Sequence, residues 1–278
     1  MKKTLVILLS IFLVFITSAC HEKPENAPDD DKNIPVDNQI DEEGTNVDSE
    51  GATNDDDKEV NEEPSNKPST QVNTQNPCVN YGLPVPTKTH EYDDGNKLIL
   101  VNKQYAVGPN FYPTDLVAVD RALSTNKGIY FKREAYDAYL RMLGDANAQG
   151  ISFIICSTYR SYALQESLYF GYIKSYGVEY TNTISAYPGR SEHHTGWAVD
   201  ITSASMNYGL NANFVNYPEG QWINEHCHEY GFIIRYPKDK THITGYAYEP
   251  WHLRYVGVDV ATQIMTQGLT LEEYLGVA

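Results

Sequence analysis

Ser191-Glu192-His193-His194-Thr195-Gly196-Trp197-Ala198-Val199-Asp200 is the stretch on which the reading of this chain turns. It sets a histidine and an aspartate seven positions apart on either side of a glycine, which places His193 on a turn and Asp200 on the strand that follows. Side chains on two adjacent, differently directed elements can converge on one ion. An imidazole nitrogen and a carboxylate oxygen both suit Zn²⁺, at about 2.0 to 2.2 Å.

A catalytic zinc site needs a third ligand and a base, and Glu249-Pro250-Trp251-His252 offers both. In extended or turn geometry this segment can present the His252 imidazole to the metal and the Glu249 carboxylate to water beside it. Three protein ligands with one open position is the catalytic pattern of zinc, whereas structural sites are closed by four. Each segment alone is a weak signal, because a chain with 8 histidines and 37 acidic residues produces such spacings by chance.

Around these segments the apolar pattern predicts a mixed fold. Ile151 to Cys156 reads as a buried strand and Ala163 to Tyr176 as a helix, so Ser157 to Ser161 is a strand-to-helix turn. Residues 133–148 carry Ala135, Tyr136, Tyr139, Leu140 and Leu143 at helical spacing, and Gly150 ends that helix. Lys97 to Val101, Ala198 to Ile201 and Gly231 to Tyr236 read as strands, Pro218 to Tyr230 as a helix, and Leu271 to Leu275 as a short closing helix. That order predicts an α+β domain with an antiparallel central sheet flanked by helices.

The domain does not fill the 278 residues. Residues 1–20 place Lys2 and Lys3 before an apolar run from Leu5 to Ile16 and end in Thr17-Ser18-Ala19, the build of an export signal. Cys20 then resembles the acylated cysteine of bacterial lipoproteins, which predicts a lipid anchor on the outer face of the cytoplasmic membrane; a plainly cleaved signal is the alternative. Residues 21–77 hold seventeen Asp or Glu against four Lys, carrying −13 of the formal net charge of −16. So polar a segment cannot offset its ordering entropy by burial and is expected to be a disordered tether, with a reach of roughly 40 Å. The remainder, 78–278, is only mildly acidic and shows no basic stripe, which excludes a nucleic-acid partner. It is expected to act as a monomer.

Cys78, Cys156 and Cys227 remain in that domain, so one disulfide with a free thiol, or no disulfide, is expected. Cys156 ends an apolar run and reads as a small buried hydrophobe. His226-Cys227-His228 is no second metal site, since successive helical residues point about 100° apart. Tyr187, Tyr236, Tyr246 and Tyr248 flank the site segments as rim or core.

With these residues in view, the chain resembles the VanY-type D-alanyl-D-alanine carboxypeptidases and their L,D-carboxypeptidase relatives. Their signature Ser-x-His-x-x-Gly-x-Ala-x-Asp is matched at every fixed position from Ser191 to Asp200. So are Tyr159-Arg160-Ser161 with Gln165, and Glu249 to Gly257, and the similarity runs from about Leu98, including Leu100 to Lys103 and Tyr112 to Leu116, to near the C-terminus. The resemblance implies a Hedgehog-like, DD-peptidase-like zinc peptidase fold, with zinc held by His193, Asp200 and His252. It implies Glu249 as catalytic base, Arg160 beside the substrate carbonyl, and Ser191 and Gln165 as substrate contacts. The substrates would be peptidoglycan stem peptides, cut as D,D-carboxypeptidase or, alternatively, as L,D-carboxypeptidase; a non-catalytic wall-binding module is a third reading, which the retained Glu249 opposes. Thr158, His194 and Trp197 depart from the commoner family residues, which bears on subsite shape.

Overall fold

The computed structural model describes residues 76–278. The expected signal, the Cys20 anchor and nearly all of the acidic tether lie outside the described residues. In chain order the elements are β1 (Lys88–His90), β2 (Tyr105–Val107), β3 (Leu116–Ala118), β4 (Tyr130–Lys132) and α1 (Arg133–Ala148), then β5 (Ile154–Ser157), α2 (Tyr162–Tyr176), α3 (Val178–Ile184) and β6 (Ala198–Thr202). There follow α4 (Pro218–His226), β7 (Phe232–Tyr236), α5 (Thr241–Thr244), β8 (Glu249–Tyr255), α6 (Val258–Gln267) and α7 (Leu271–Tyr274).

A four-stranded sheet in the order β5-β6-β8-β7, antiparallel throughout, is the centre of the domain. Side chains alternate across it with the period of two that a pleated strand imposes. Val199 and Ile201 of β6, Leu253 and Tyr255 of β8, and Phe232 and Ile234 of β7 join the main apolar core, together with the buried stripe of α1 that includes Tyr139, Met142 and Leu143. Their neighbours Asp200, His252, Arg254 and Arg235 therefore occupy the other face, and all four are buried. One face of the sheet is a hydrophobic core; the opposite face carries the charged groups, with Ile233 joining a smaller apolar cluster there.

Local chemistry sets the helix ends. Ser161 caps α2 by accepting from the Leu164 N–H, and Thr270 and Glu273 form a reciprocal capping box on α7. Gly150, at φ 79°, turns the chain after α1 as anticipated.

Two expectations are corrected. Residues 97–101 form no strand. Ile99, Leu100 and Val101 are buried, but the carbonyls of Lys97 and Ile99 accept from the Arg254 guanidinium, so a side chain satisfies the backbone in place of a neighbouring strand. The helix predicted to run to Tyr230 ends at His226 and finishes as a tighter 3-10 turn, Cys227–Tyr230. α3 and α6 were not anticipated; α6 packs Ala261 and Ile264, with Val260 and Met265 beside them, against a smaller apolar cluster that includes Ile233. Cys78, Cys156 and Cys227 are all buried and none of them forms a disulfide, which decides the open choice in favour of no disulfide among them.

Gly196 sits at φ 68°, and a Cβ built there would lie 3.1 Å from the Leu116 side chain and 3.3 Å from that of Lys132. Gly196→Ala is expected to lower the unfolding free energy by roughly 1–3 kcal/mol, measured by urea denaturation of the metal-free protein.

Candidate metal centre and active site

The register of β6 against β8 builds the site. Asp200 and His252 are direct partners across this antiparallel ladder. Cross-strand partners bring their side chains within contact on one face. The Asp200 Oδ1 lies 2.9 Å from the His252 Nδ1. The 3-10 turn Glu192–Thr195 just before β6 then delivers His193, whose Nε2 is 3.1 Å from the Asp200 Oδ2. His193 donates through Nδ1 to the Thr158 carbonyl at 2.6 Å, which leaves the Nε2 lone pair facing the centre.

One ligand atom from each of His193, Asp200 and His252 falls within 4.8 Å of the others, and all three residues are buried. Two imidazoles and one carboxylate, with mouths turned inward and one histidine tautomer fixed by its outer hydrogen bond, are a donor set that fits zinc. The sequence placed these three together and the fold does so.

Glu249 reaches the same side through an irregularity. Between the pairs Ile234↔Leu253 and Tyr236↔Glu249, β7 advances two residues while β8 advances four. An unbroken strand would put residues three apart on opposite faces. The bulge at Pro250-Trp251 instead brings the Glu249 Oε2 to 3.9 Å from the His252 Nδ1. Burial pushes the Glu249 carboxyl up to about 8, with Asp200 and Glu192 adding to the shift and His252 and Arg160 opposing it. Burial would lower His252, yet the carboxylates of Asp200 and Glu192 raise it to about 9 in the metal-free protein.

Arg160, from the β5–α2 turn, lines the cleft beside Ser191, Tyr236, Tyr246 and Trp251. Its Nη2 donates to the Ser157 Oγ at 3.0 Å and its Nη1 to the Gln165 Oε1 at 2.8 Å. Gln165, expected to contact substrate, is fully buried behind Arg160, and its amide donates to the Ala186 carbonyl at 2.7 Å and the Ser185 hydroxyl at 3.3 Å. Its hydrogen-bonding groups are occupied, so the structure places it as a support for the guanidinium. His194 steadies the same loop. The Gly189 N–H donates to its Nε2 and its Nδ1 donates to the Arg160 carbonyl at 2.8 Å, while burial pulls its imidazole down to about 4.

Sequence reasoning missed Glu192. Its carboxylate is fully buried and accepts from Arg235 and Arg254, each at 2.7 Å. Burial alone would raise this carboxyl, and the two guanidiniums hold it well below the usual carboxylate range. Its position inside the Ser191–Asp200 segment was the available signal, but nothing in that spacing announces two arginines from β7 and β8.

The sequence model of the VanY family, described as D-alanyl-D-alanine carboxypeptidase, matches residues 128–258. The YodJ protein of Bacillus subtilis (strain 168) is 45% identical over 182 residues, 64% of this chain and 67% of that protein. This chain belongs to the VanY family. It is therefore an enzyme, a peptidase. The D-alanyl-D-alanine carboxypeptidase of Enterococcus faecium is 36% identical over 68% of this chain, but the match spans only 60% of that relative's length. Among solved structures, the LdcB LD-carboxypeptidase aligns with a TM-score of 0.62 at 42% identity, covering 68% of this chain and 91% of that one. A VanY D,D-pentapeptidase variant in complex with Zn(II) aligns with a TM-score of 0.56 at 34% identity, covering 64% and 98%. The α+β architecture is thus that of the VanY zinc peptidases.

Asp200→Ala and His252→Ala are each expected to abolish stoichiometric zinc binding while leaving the far-ultraviolet circular dichroism unchanged, as read by isothermal titration of the metal-stripped protein.

Proposed function

We propose that this chain is a zinc-dependent D,D-carboxypeptidase that removes the terminal D-alanine from peptidoglycan stem peptides. The observation that carries the reading is the convergence of His193, Asp200 and His252 beside Glu249, in a cleft that also presents Arg160.

When bound, zinc supplies Lewis acidity that acidifies water towards neutral pH and polarises a peptide carbonyl. Glu249 takes the proton of the attacking water and delivers it to the leaving amine, so one carboxylate serves as base and then acid. Arg160 holds the negative charge that develops on the carbonyl oxygen, and because Gln165 and Ser157 fix its guanidinium beforehand, little reorganisation is needed at the moment of reaction. Ser191, at the cleft wall, contributes a hydroxyl for the substrate.

A second reading, L,D-carboxypeptidase activity on tetrapeptide stems, is favoured by the 42% identity to the LdcB LD-carboxypeptidase against 34% for the VanY D,D-pentapeptidase. Metal and base serve both reactions; the walls that read the residue before the scissile bond separate them. The enzyme acts outside the cell, anchored through Cys20 and held off the membrane by residues 21–77; the charge and composition of those segments support this part of the reading.

The test is incubation of the zinc-loaded protein with muropeptides ending in D-Ala-D-Ala or in a single D-Ala, followed by mass spectrometry. Loss from the pentapeptide alone supports D,D specificity, loss from the tetrapeptide alone assigns the L,D reaction, and loss from neither overturns the carboxypeptidase reading. Glu249→Gln is expected to reduce kcat by roughly 10²–10⁴ with zinc retained. Arg160→Ala is expected to cost about 10²–10³ in kcat, again without loss of zinc. Gln165→Leu should fall between the wild type and Arg160→Ala in the same assay.

A further inference from the structure

Glu192 divides its two oxygens between two tasks. Its Oε1 accepts from the Arg235 Nε and the Arg254 Nη1, each at 2.7 Å. Its Oε2 is buried without a hydrogen-bond partner and lies 3.5 Å from the His252 Nε2, which is itself buried and without one. Burying a donor or acceptor without a partner is costly, so two complementary ones only 3.5 Å apart, just beyond ordinary hydrogen-bond length, have reason to close.

The ring geometry gives that closure a consequence. The two nitrogens of His252 face opposite ways, Nδ1 to the Asp200 Oδ1 at 2.9 Å and Nε2 to Glu192. An imidazole that gives its Nδ1 lone pair to a metal carries its proton on Nε2, and that proton needs an acceptor. His193 shows the same arrangement, with the Thr158 carbonyl as the outer acceptor. Glu192 is the only carboxylate among the described residues within 4.0 Å of the His252 Nε2.

Glu192 is also held where a positioning group must be. Arg235 turns its two remaining nitrogens to Glu272, at 2.6 and 2.9 Å, and Arg254 turns its Nη2 to the carbonyls of Lys97 and Ile99, at 2.7 and 2.8 Å. The carboxylate is thus clamped from β7, from β8 and, through Glu272, from α7.

We propose that Glu192 is a positioning residue for the metal centre: its Oε2 accepts from the His252 Nε2–H and so directs the Nδ1 lone pair to the ion. This rests on His252 being a ligand. Glu272, which holds Arg235 but touches no ligand, serves the fold alone.

The test uses the full chain with Glu192→Gln and Glu272→Gln. Zinc affinity is measured by competition against a chromogenic chelator, the ligand field by the visible spectrum of the cobalt-substituted protein, and stability by thermal melting without metal. Glu192→Gln is expected to weaken zinc binding by about 10–100-fold and to alter the cobalt spectrum. Glu272→Gln is expected to lower the melting temperature with zinc affinity and cobalt spectrum kept. Should Glu192→Gln fail to fold, Glu192→Asp keeps the charge both arginines require while drawing back from His252, and the same loss of affinity is expected of it. A foldable Glu192 variant with wild-type zinc affinity and cobalt spectrum overturns the proposal. A wild-type protein that binds no zinc overturns instead the assignment of the metal centre.

Discussion

The register between β6 and β8 is the constraint on which the rest of this structure depends. Because Asp200 stands directly opposite His252, one ladder of backbone hydrogen bonds sets the separation of two ligands, and the turn before β6 needs only to swing His193 across. A slip of one residue in β6 or in β8 would turn that strand's ligand into the apolar core on the other face and bring Val199 or Leu253 to the site in its place. The hydrophobic core against α1 enforces the metal centre by refusing that alternative.

The charged face asks more of the fold than an apolar one. Arg190, Arg235 and Arg254 are among the largest fully buried side chains, and each finds oxygen acceptors: Arg190 on the carbonyls of Lys103 and Pro84, Arg235 and Arg254 on Glu192, Glu272 and backbone. Removing two charges from water costs several kcal/mol per ion, which only good geometry and full hydrogen bonding repay. Such a network adds little net stability, but it admits few arrangements. Rigidity at the sheet face is what a site needs if its ligands are to wait in place for an ion.

Much of this was legible in the sequence. His193, Asp200, His252 and Glu249 could be singled out because ligand chemistry limits the residue types and because a glycine between His193 and Asp200 marks a change of direction. The central strands β5, β6 and β7 and the helix α1 followed from apolar periodicity. What escaped depended on partners remote in the chain. The apolar run 97–101 looked like a strand because burial and pairing leave the same mark on composition, and only Arg254, more than 150 residues away, decides between them. Gln165 was read as facing substrate because position on a helix does not reveal that Ala186 and Arg160 already engage it. Glu249 reaches the ligand face through a shift in the β7–β8 register between Leu253 and Glu249, and the local sequence does not reveal the pairing of a strand that lies elsewhere in the chain.

The ligand triad carries one more implication. Asp200 lies within hydrogen-bonding reach of both His252 and His193, and Glu192 stands on the far side of His252, so the charge on each of these groups is felt by the others. Groups coupled in this way gain and lose protons as a set rather than one by one. Any protons released when a metal binds therefore belong to the cluster and not to a single residue.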